Sequence, residues 1–206
     1  MAEANRVSPV PRKAPRKKAE PARITGLTYE AYLKLPVTNQ PCSVINGELI
    51  VAASPNGNHQ WILANIAMAL RSHVESRRLG LVLFAPMDVL IRRELLRIRQ
   101  PDVLFLSADR VSLDELRKMR TITVAPDLVI EILSPSETRK SVEAKLRDFQ
   151  SIGTQEAWIV TPKTGTVEVL HLSTDPWKSS GVFRSGQTVQ SEILPDLTLS
   201  VDQIFA

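Results

Sequence analysis

The sequence predicts a mixed α/β domain, in which helices cover a central mixed sheet and a β-hairpin lies near the N-terminus. Asn46-Gly47 separates two short apolar runs, which is the strongest hairpin signal in the chain. After residue 57, apolar residues recur at helical spacing over a long segment. Between residues 128 and 160, an apolar strand, a helix and a second apolar strand follow one another. That order predicts a βαβ unit with parallel pairing.

Capping residues, glycine and proline mark where each element begins and ends. Thr28 is the expected N-cap of the first helix, which Pro36 ends, and Gly80 is placed to end the long helix. From Phe183 onward the pattern indicates short strands and a turn. The expected elements, in chain order, are a helix over 28–35, hairpin strands at 43–45 and 48–51, the long helix, strands at 81–84, 87–92 and 98–107, a helix at 112–118, a strand at 128–133, a helix at 137–151, a strand at 157–160 and an edge strand at 167–172.

Residues 1–24 differ in composition from the rest of the chain. They hold seven Lys and Arg against two Glu, a net +5, so that residues 25–206 carry about −1 of the total +4. Four prolines and few large apolar residues predict a disordered basic tail, followed by one domain over 25–206. Such a tail would add sequence-independent affinity for phosphate backbones. The alternative is a solubilising tail without a specific partner.

The composition also excludes several classes of protein. Cys42 is the only cysteine, which rules out a disulfide framework and a thiolate metal cluster. No segment approaches the roughly 18 uninterrupted apolar residues of a membrane span, and no apolar h-region follows the basic residues. We therefore expect a cytoplasmic protein without a membrane partner.

Two carboxylates are expected inside short apolar strands, where a charge is costly unless a cation or metal compensates it. Asp102 lies in the run Gln100-Pro101-Asp102-Val103-Leu104-Phe105-Leu106, and Glu131 lies in Leu128-Val129-Ile130-Glu131-Ile132-Leu133. Asp102 could instead be a strand-start or turn aspartate after Pro101. Glu131 could instead form a buried structural ion pair.

Lys145, on the helix that follows, is the downstream candidate to compensate Glu131. It lies three residues after Val142 and four before Phe149, on the apolar stripe of its predicted helix, so it should face the sheet. A lysine whose stem follows that stripe while its ammonium reaches water is the alternative. Glu48, which starts the second hairpin strand, is a solvent-facing residue or a third carboxylate. His59, at the start of the long helix, is expected at the surface or in a cap.

Taken in order, these residues resemble the PD-(D/E)XK nuclease superfamily and, more closely, the Uma2 family of restriction-endonuclease-like proteins. The similarity covers roughly residues 27–172. Its most specific part is the run from Pro126 to Ser136. The matching segments are Thr28-Tyr29-Glu30, Leu35-Pro36, Asn46-Gly47-Glu48-Leu49, Ser54-Pro55 with His59, Gln100-Pro101-Asp102, Ala125-Pro126-Asp127-Leu128-Val129-Ile130-Glu131-Ile132-Leu133-Ser134-Pro135-Ser136, Lys145, and Glu156-Ala157-Trp158-Ile159-Val160.

The chain departs from the superfamily pattern at several positions. The lysine that usually follows the glutamate by two residues is replaced by Leu133, and Lys145 on the next helix takes its place, as in Uma2-like sequences. Ser141 stands where the family often has aspartate, Phe149 where tyrosine is common, and Thr161 where an aspartate would end the strand.

The resemblance implies a restriction-endonuclease-like core and a Mg²⁺- or Mn²⁺-dependent endonuclease that acts on DNA. Asp102, Glu131 and the main-chain carbonyl of Ile132 would bind the metal through oxygen. Lys145 would orient the attacking water or neutralise the transition state, and Glu48 would serve a second metal or its water. A two-fold homodimer would suit the cutting of both strands.

Two other classes of function stay open. One is a nucleic-acid-binding or accessory protein on a nuclease scaffold that does not cleave, which a nuclease assay beside a binding assay would separate. The other is an oligomeric structural protein whose buried acids only form salt bridges, which titration with a divalent metal would separate.

Overall fold

Two β-sheets and five helices make up residues 24–206, the part of the chain that this computed structural model describes. The predicted tail, residues 1–24, lies outside the described residues except for Ile24. The helices are α1 (Tyr29–Leu33), α2 (Gly57–Arg77), α3 (Leu113–Leu116), α4 (Arg139–Ser151) and α5 (Val201–Phe205). The strands are β1 (Cys42–Ile45), β2 (Glu48–Val51), β3 (Gly80–Phe84), β4 (Val89–Arg92), β5 (Arg97–Arg99), β6 (Val103–Ser107), β7 (Leu128–Ile132), β8 (Glu156–Thr161), β9 (Thr166–His171) and β10 (Lys178–Phe183).

The larger sheet has six strands in the order β10-β9-β8-β7-β6-β3. It is mixed, because β7 and β8 pair in parallel while the other neighbours are antiparallel. Helix α4 connects β7 to β8, which confirms the predicted βαβ unit. One apolar core lies between this sheet and helices α2 and α5, and a second core lies on the opposite face, under α4. The mixed α/β fold is therefore confirmed.

The smaller sheet has four strands in the order β2-β1-β5-β4 and contains the predicted hairpin. Asn46 and Gly47 both have positive φ, 52° and 77°, as the two central residues of a type I′ turn require. Leu96 and Ile98 pack with Val44 in a third, smaller core.

Arginines on β5 attach the smaller sheet to helix α4. Arg97 and Arg99 donate hydrogen bonds of 2.9 and 2.6 Å to the buried carboxylate of Asp148. These two side chains are therefore used inside the fold.

The structure differs from the predicted elements around residues 78–80 and again at Pro101. Helix α2 ends with Arg78 in the left-handed conformation at φ 55°, so Gly80 does not end it. Gly80 instead begins β3, where a Cβ atom would lie 2.0 Å from the carbonyl oxygen of Leu106. The expected single strand over 98–107 divides at Pro101 into β5 and β6, which belong to different sheets.

The C-terminal part also differs from the prediction. Strand β9 is not an edge, because β10 pairs beside it. The chain then ends in helix α5, which Ser200 caps through a capping box with Gln203. Among the described residues no helix has the length and apolarity that a membrane crossing requires.

Candidate active site

Asp102 and Glu131 lie on the same face of the larger sheet. Val103 pairs with Ile130 across the antiparallel strands β6 and β7, so continuing the register one residue places Asp102 opposite Glu131. Side chains that oppose each other across two strands share a face and lie close together. Asp102 itself comes directly before β6, so it precedes the strand in which we expected it.

The carboxylate of Glu131 is buried and only half paired. Its side chain is 4% exposed, and its Oε2 accepts a hydrogen bond of 2.6 Å from Nζ of Lys145. Its Oε1 is buried and has no hydrogen-bond partner in the described part of the chain. An acceptor left in this way is energetically costly.

Lys145 lies between two carboxylates. Helix α4 presents it to the sheet as its spacing predicted, and its Nζ also donates to Glu137 Oε1 at 2.8 Å. Glu137 is fixed in turn, because its Oε2 accepts a 2.8 Å hydrogen bond from the amide of Ser134. The ammonium is therefore held in one place and does not extend into solvent.

Asp102 and His59 form the other half of the site, around the end of β7. Asp102 Oδ2 accepts a hydrogen bond of 2.7 Å from the amide of Ile132 and lies 3.4 Å from Nε2 of His59. The same Nε2 lies 3.1 Å from the carbonyl oxygen of Ile132. His59 occupies the first turn of α2, whose N-cap Asn56 accepts a 2.9 Å hydrogen bond from the His59 amide.

The surroundings shift the pKa of four ionisable groups in the site. Burial raises the pKa of Glu131 from 4.5 to about 7, and the charge of Asp102 adds to the effect while Lys145 opposes it. Burial would lower the pKa of Lys145, but the carboxylates of Glu131 and Glu137 outweigh it and raise the pKa above its ordinary value. Lys145 therefore stays an ammonium at neutral pH.

The two remaining shifts follow from the same contacts. The pKa of Glu137 is lowered, because Lys145 and the hydrogen bonds from Ser134 outweigh the effect of burial. The hydrogen bond to Asp102 raises the pKa of His59, against the effect of burial. Pairs of acids with their pKa values moved apart are common at catalytic sites.

The structure thus brings together Asp102, Glu131, Lys145 and the carbonyl of Ile132. Glu48, the remaining predicted site residue, lies half-buried at the start of β2, in the smaller sheet. Its suggested role with a second metal stays a prediction.

Two departures from the family pattern have structural uses here. Ser141 completes the capping box of α4, since its hydroxyl accepts from the amide of Thr138 at 3.0 Å. Phe149 is fully buried in the core under α4, where no hydroxyl is needed.

Sequence reasoning missed His59 and Glu137. We expected His59 at the surface or in a cap. Its amide does donate to the N-cap Asn56, but its ring is only 14% exposed and faces Asp102, so a surface position was wrong. Its contact with Ile132 spans 73 residues and depends on how α2 packs, which spacing along the chain does not reveal. Glu137 had a weaker local signal, as an acid three residues after Ser134, the spacing at which a carboxylate reaches back to an amide.

The oxygen atoms of this site suit a hard divalent cation. Two carboxylates and a main-chain carbonyl are the ligands that Mg²⁺ prefers, and Mg²⁺ commonly binds through one or two carboxylates while keeping several waters. Residues 24–206 contain no group of three or more His, Cys, Asp or Glu placed to hold a metal ion. The unpartnered Oε1 of Glu131 adds a buried acceptor that a cation would satisfy.

Comparison with known proteins relates this chain to one protein family and to solved structures. The model of the Uma2 family, described as "Putative restriction endonuclease", matches residues 29–202. The crystal structure of a putative nuclease belonging to DUF820 from Anabaena variabilis superposes with a TM-score of 0.73 at 24% sequence identity, covering 87% of this chain and 97% of that one. At that identity the likeness is one of fold, and it confirms the restriction-endonuclease-like architecture. No curated protein matches this chain.

Proposed function

Since this chain belongs to the Uma2 family, we propose that it is a divalent-metal-dependent endonuclease that hydrolyses phosphodiester bonds of DNA. The observation that supports the proposal most directly is Glu131. It is a buried carboxylate with one unpartnered oxygen, opposite Asp102 and beside a fixed ammonium.

Asp102, Glu131 and the carbonyl oxygen of Ile132 would hold Mg²⁺ or Mn²⁺. When bound, such a cation supplies Lewis-acid stabilisation of phosphate charge and makes water a better nucleophile. Among residues 24–206, the contacts that Asp102 makes use Oδ2, and those of Glu131 use Oε2. The other oxygen of each carboxylate, Oδ1 of Asp102 and Oε1 of Glu131, is therefore left to bind the cation.

Lys145 would stabilise the negative charge that develops on the phosphate, or orient the attacking water. Its two carboxylate partners fix the ammonium before substrate arrives, so little reorganisation is needed during the reaction. His59 contacts both Asp102 and the carbonyl of Ile132, and would keep these two oxygen groups in position.

Cleavage of plasmid DNA tests the proposal. We expect the wild type to cut in Mg²⁺ or Mn²⁺ and not in EDTA, and we expect Asp102→Asn and Glu131→Gln to lose both cleavage and metal binding measured by calorimetry. Lys145→Met should retain metal binding but cleave at least about 100-fold more slowly, because its effect is on the transition state.

Glu143→Gln provides a matched control. Glu143 lies on α4 like Lys145, is 45% exposed and, within the described part of the chain, forms an ion pair only with Arg139. Its loss should therefore change neither cleavage nor metal binding. If the wild type binds DNA but does not cut it in either metal, the chain is a binding protein on a nuclease scaffold. If it binds no divalent metal, the buried acids are structural and the proposal is wrong.

A further inference from the structure

Strand β3 ends the larger sheet with an edge that nothing in residues 24–206 covers. Pairing with β6 uses only one side of it. Ala108 donates to the carbonyl of Leu79 at 2.8 Å, and Ala85 donates to that of Asp102 at 2.9 Å. Because hydrogen-bonded positions alternate along an antiparallel strand, residues 79, 81, 83 and 85 bond to β6. The main-chain groups of Gly80, Val82 and Phe84 therefore face outward.

The other three sheet edges are protected. The edge of β2 is covered by the preceding segment, since Leu49 donates to the carbonyl of Ile24 and Leu27 donates to that of Gly47, both at 2.9 Å. The edge of β4 is covered by Ile122, which exchanges hydrogen bonds of 2.8 and 2.7 Å with Leu90 and Asp88.

The edge strand β10 is protected by its composition and shape. It begins at Lys178, exposes serines and has an irregular register between Ser179 and Gly181. Charges and bulges of this kind prevent edge-to-edge pairing in natural sheets.

Strand β3 has neither of these protections. Its sequence Gly80-Leu81-Val82-Leu83-Phe84 carries no charge, and its register with β6 is unbroken over five residue pairs. Phe84 is 50% exposed. An apolar, regular and open edge is a template for another strand.

We propose that β3 pairs antiparallel with β3 of a second copy of this chain, about a two-fold axis at Val82. In that register Val82 opposes itself and Gly80 opposes Phe84, so all three outward-facing residues bond and about six main-chain hydrogen bonds form. The aromatic ring of each Phe84 would then cover the bare backbone of Gly80 in the other copy, a favourable cross-strand pair.

The N-terminal segment is a less suitable partner for this edge. Residues 1–23 include four prolines, which cannot donate to a ladder, and seven basic residues. They also join the described chain at Ile24, whose carbonyl bonds to β2 in the smaller sheet. A second copy, which carries the same complementary strand, fits the edge better.

The dimer would place both candidate sites on one side of a continuous sheet. A two-fold axis perpendicular to the sheet keeps the face that carries Asp102 and Glu131 the same in both copies. Asp102 lies level with Ala85, three residues from the axis. With strands about 4.8 Å apart and a rise of about 3.4 Å per residue, the two sites would be on the order of 25 Å apart. One duplex could then contact both sites.

Sedimentation measurements at tens of micromolar protein test this inference without reference to cleavage. We expect the wild type to be a dimer. We expect Phe84→Lys to be a monomer, because pairing would place one charged lysine from each copy at the joined edges of the two sheets. Val82→Pro should also be monomeric, since it removes an outward-facing N–H while the bonds to β6 use the neighbouring residues. Circular dichroism would show that both variants are folded.

Val182→Lys is the matched control, because Val182 is 40% exposed on the opposite edge strand β10. It should remain a dimer. A monomeric wild type, or a dimer that persists in both Phe84→Lys and Val82→Pro, would overturn the inference. So would a monomer that dimerises only when residues 1–23 are removed, since the tail would then be the segment that covers the edge.

Discussion

Glu131 is the residue whose surroundings set the properties of the site. Burial and the neighbouring Asp102 raise its pKa to about 7, although Lys145 lies 2.6 Å away. The ammonium is shared with Glu137, so it does not fully compensate the buried charge of Glu131. A residue in this position stores unfavourable free energy that a bound cation would release.

We expect the metal-free wild type to lose stability relative to Glu131→Gln as the pH rises from 4.5 to about 7. The folded-state pKa lies above the ordinary value, so the folded state binds this proton more tightly in that window and rising pH favours unfolding. The full effect is on the order of 3 kcal/mol. Urea unfolding of both proteins in EDTA at several pH values measures it.

The same variant distinguishes a metal ligand from a structural ion pair. Because Lys145 keeps Glu137 as a partner, Glu131→Gln should be at least as stable as the wild type at neutral pH in EDTA, and Mg²⁺ should stabilise only the wild type. A loss of about 3–5 kcal/mol in EDTA would instead show that the pair with Lys145 is structural.

Asp102, Glu131 and Lys145 could be predicted because each breaks a local pattern. A charge inside an apolar run, or on the apolar stripe of a helix, is visible in the sequence. His59 and Glu137 break no such pattern. Their roles depend on where the first turn of α2 and the 134–137 turn lie relative to β7, which only tertiary packing decides.

At the scale of elements, β3 depends on Gly80. A Cβ atom there would lie 2.0 Å from the carbonyl oxygen of Leu106 and 2.8 Å from Cα of Ser107, both of them backbone atoms that cannot move aside cheaply. The strand can therefore approach β6 at this point only because residue 80 has no side chain.

Gly80→Ala should accordingly cost about 3 kcal/mol or more in unfolding free energy. Gly57→Ala is the control, since nothing lies within 4 Å of its would-be Cβ and the residue begins a helix. That change should be neutral or stabilising by up to about 1 kcal/mol. Equal effects of the two substitutions in thermal unfolding would contradict the close approach.

The hairpin and the βαβ unit could be predicted because their signals are local. Asn46-Gly47 fixes a turn, and an apolar strand followed by an amphipathic helix and another apolar strand has few alternatives. The division at Pro101 was not predicted, because residues on both sides of it favour strands. Strands β5 and β6 are separate because they pair in different sheets, and that pairing depends on residues distant in the chain.

At the scale of the whole molecule, charge is distributed unevenly along the chain. The first 24 residues carry a net +5 and the remainder about −1. Most of the attraction for a polyanion should therefore come from the tail rather than from the domain.

Deleting residues 1–23 should weaken DNA binding and reduce its dependence on salt, by a slope of about 0.9 for each phosphate that the tail neutralises. Ile24 is kept because its carbonyl bonds to Leu49. The free energy of unfolding should change by no more than about 0.5 kcal/mol, because the composition of the tail predicts a segment that buries little surface. Fluorescence anisotropy with labelled duplex at several salt concentrations, beside urea unfolding, measures both. A large loss of stability would mean that the tail packs on the domain.

The buried carboxylate of Asp148 determines how the two sheets come apart. It belongs to α4, the helix that also supplies Lys145, and its two arginine partners belong to the smaller sheet. Separating that sheet would leave a buried charge without its partners, at a cost of several kcal/mol. We therefore expect no partially unfolded state in which the hairpin sheet detaches while the larger sheet stays intact. The protein should melt as one cooperative unit, and the candidate site should disappear in the same step.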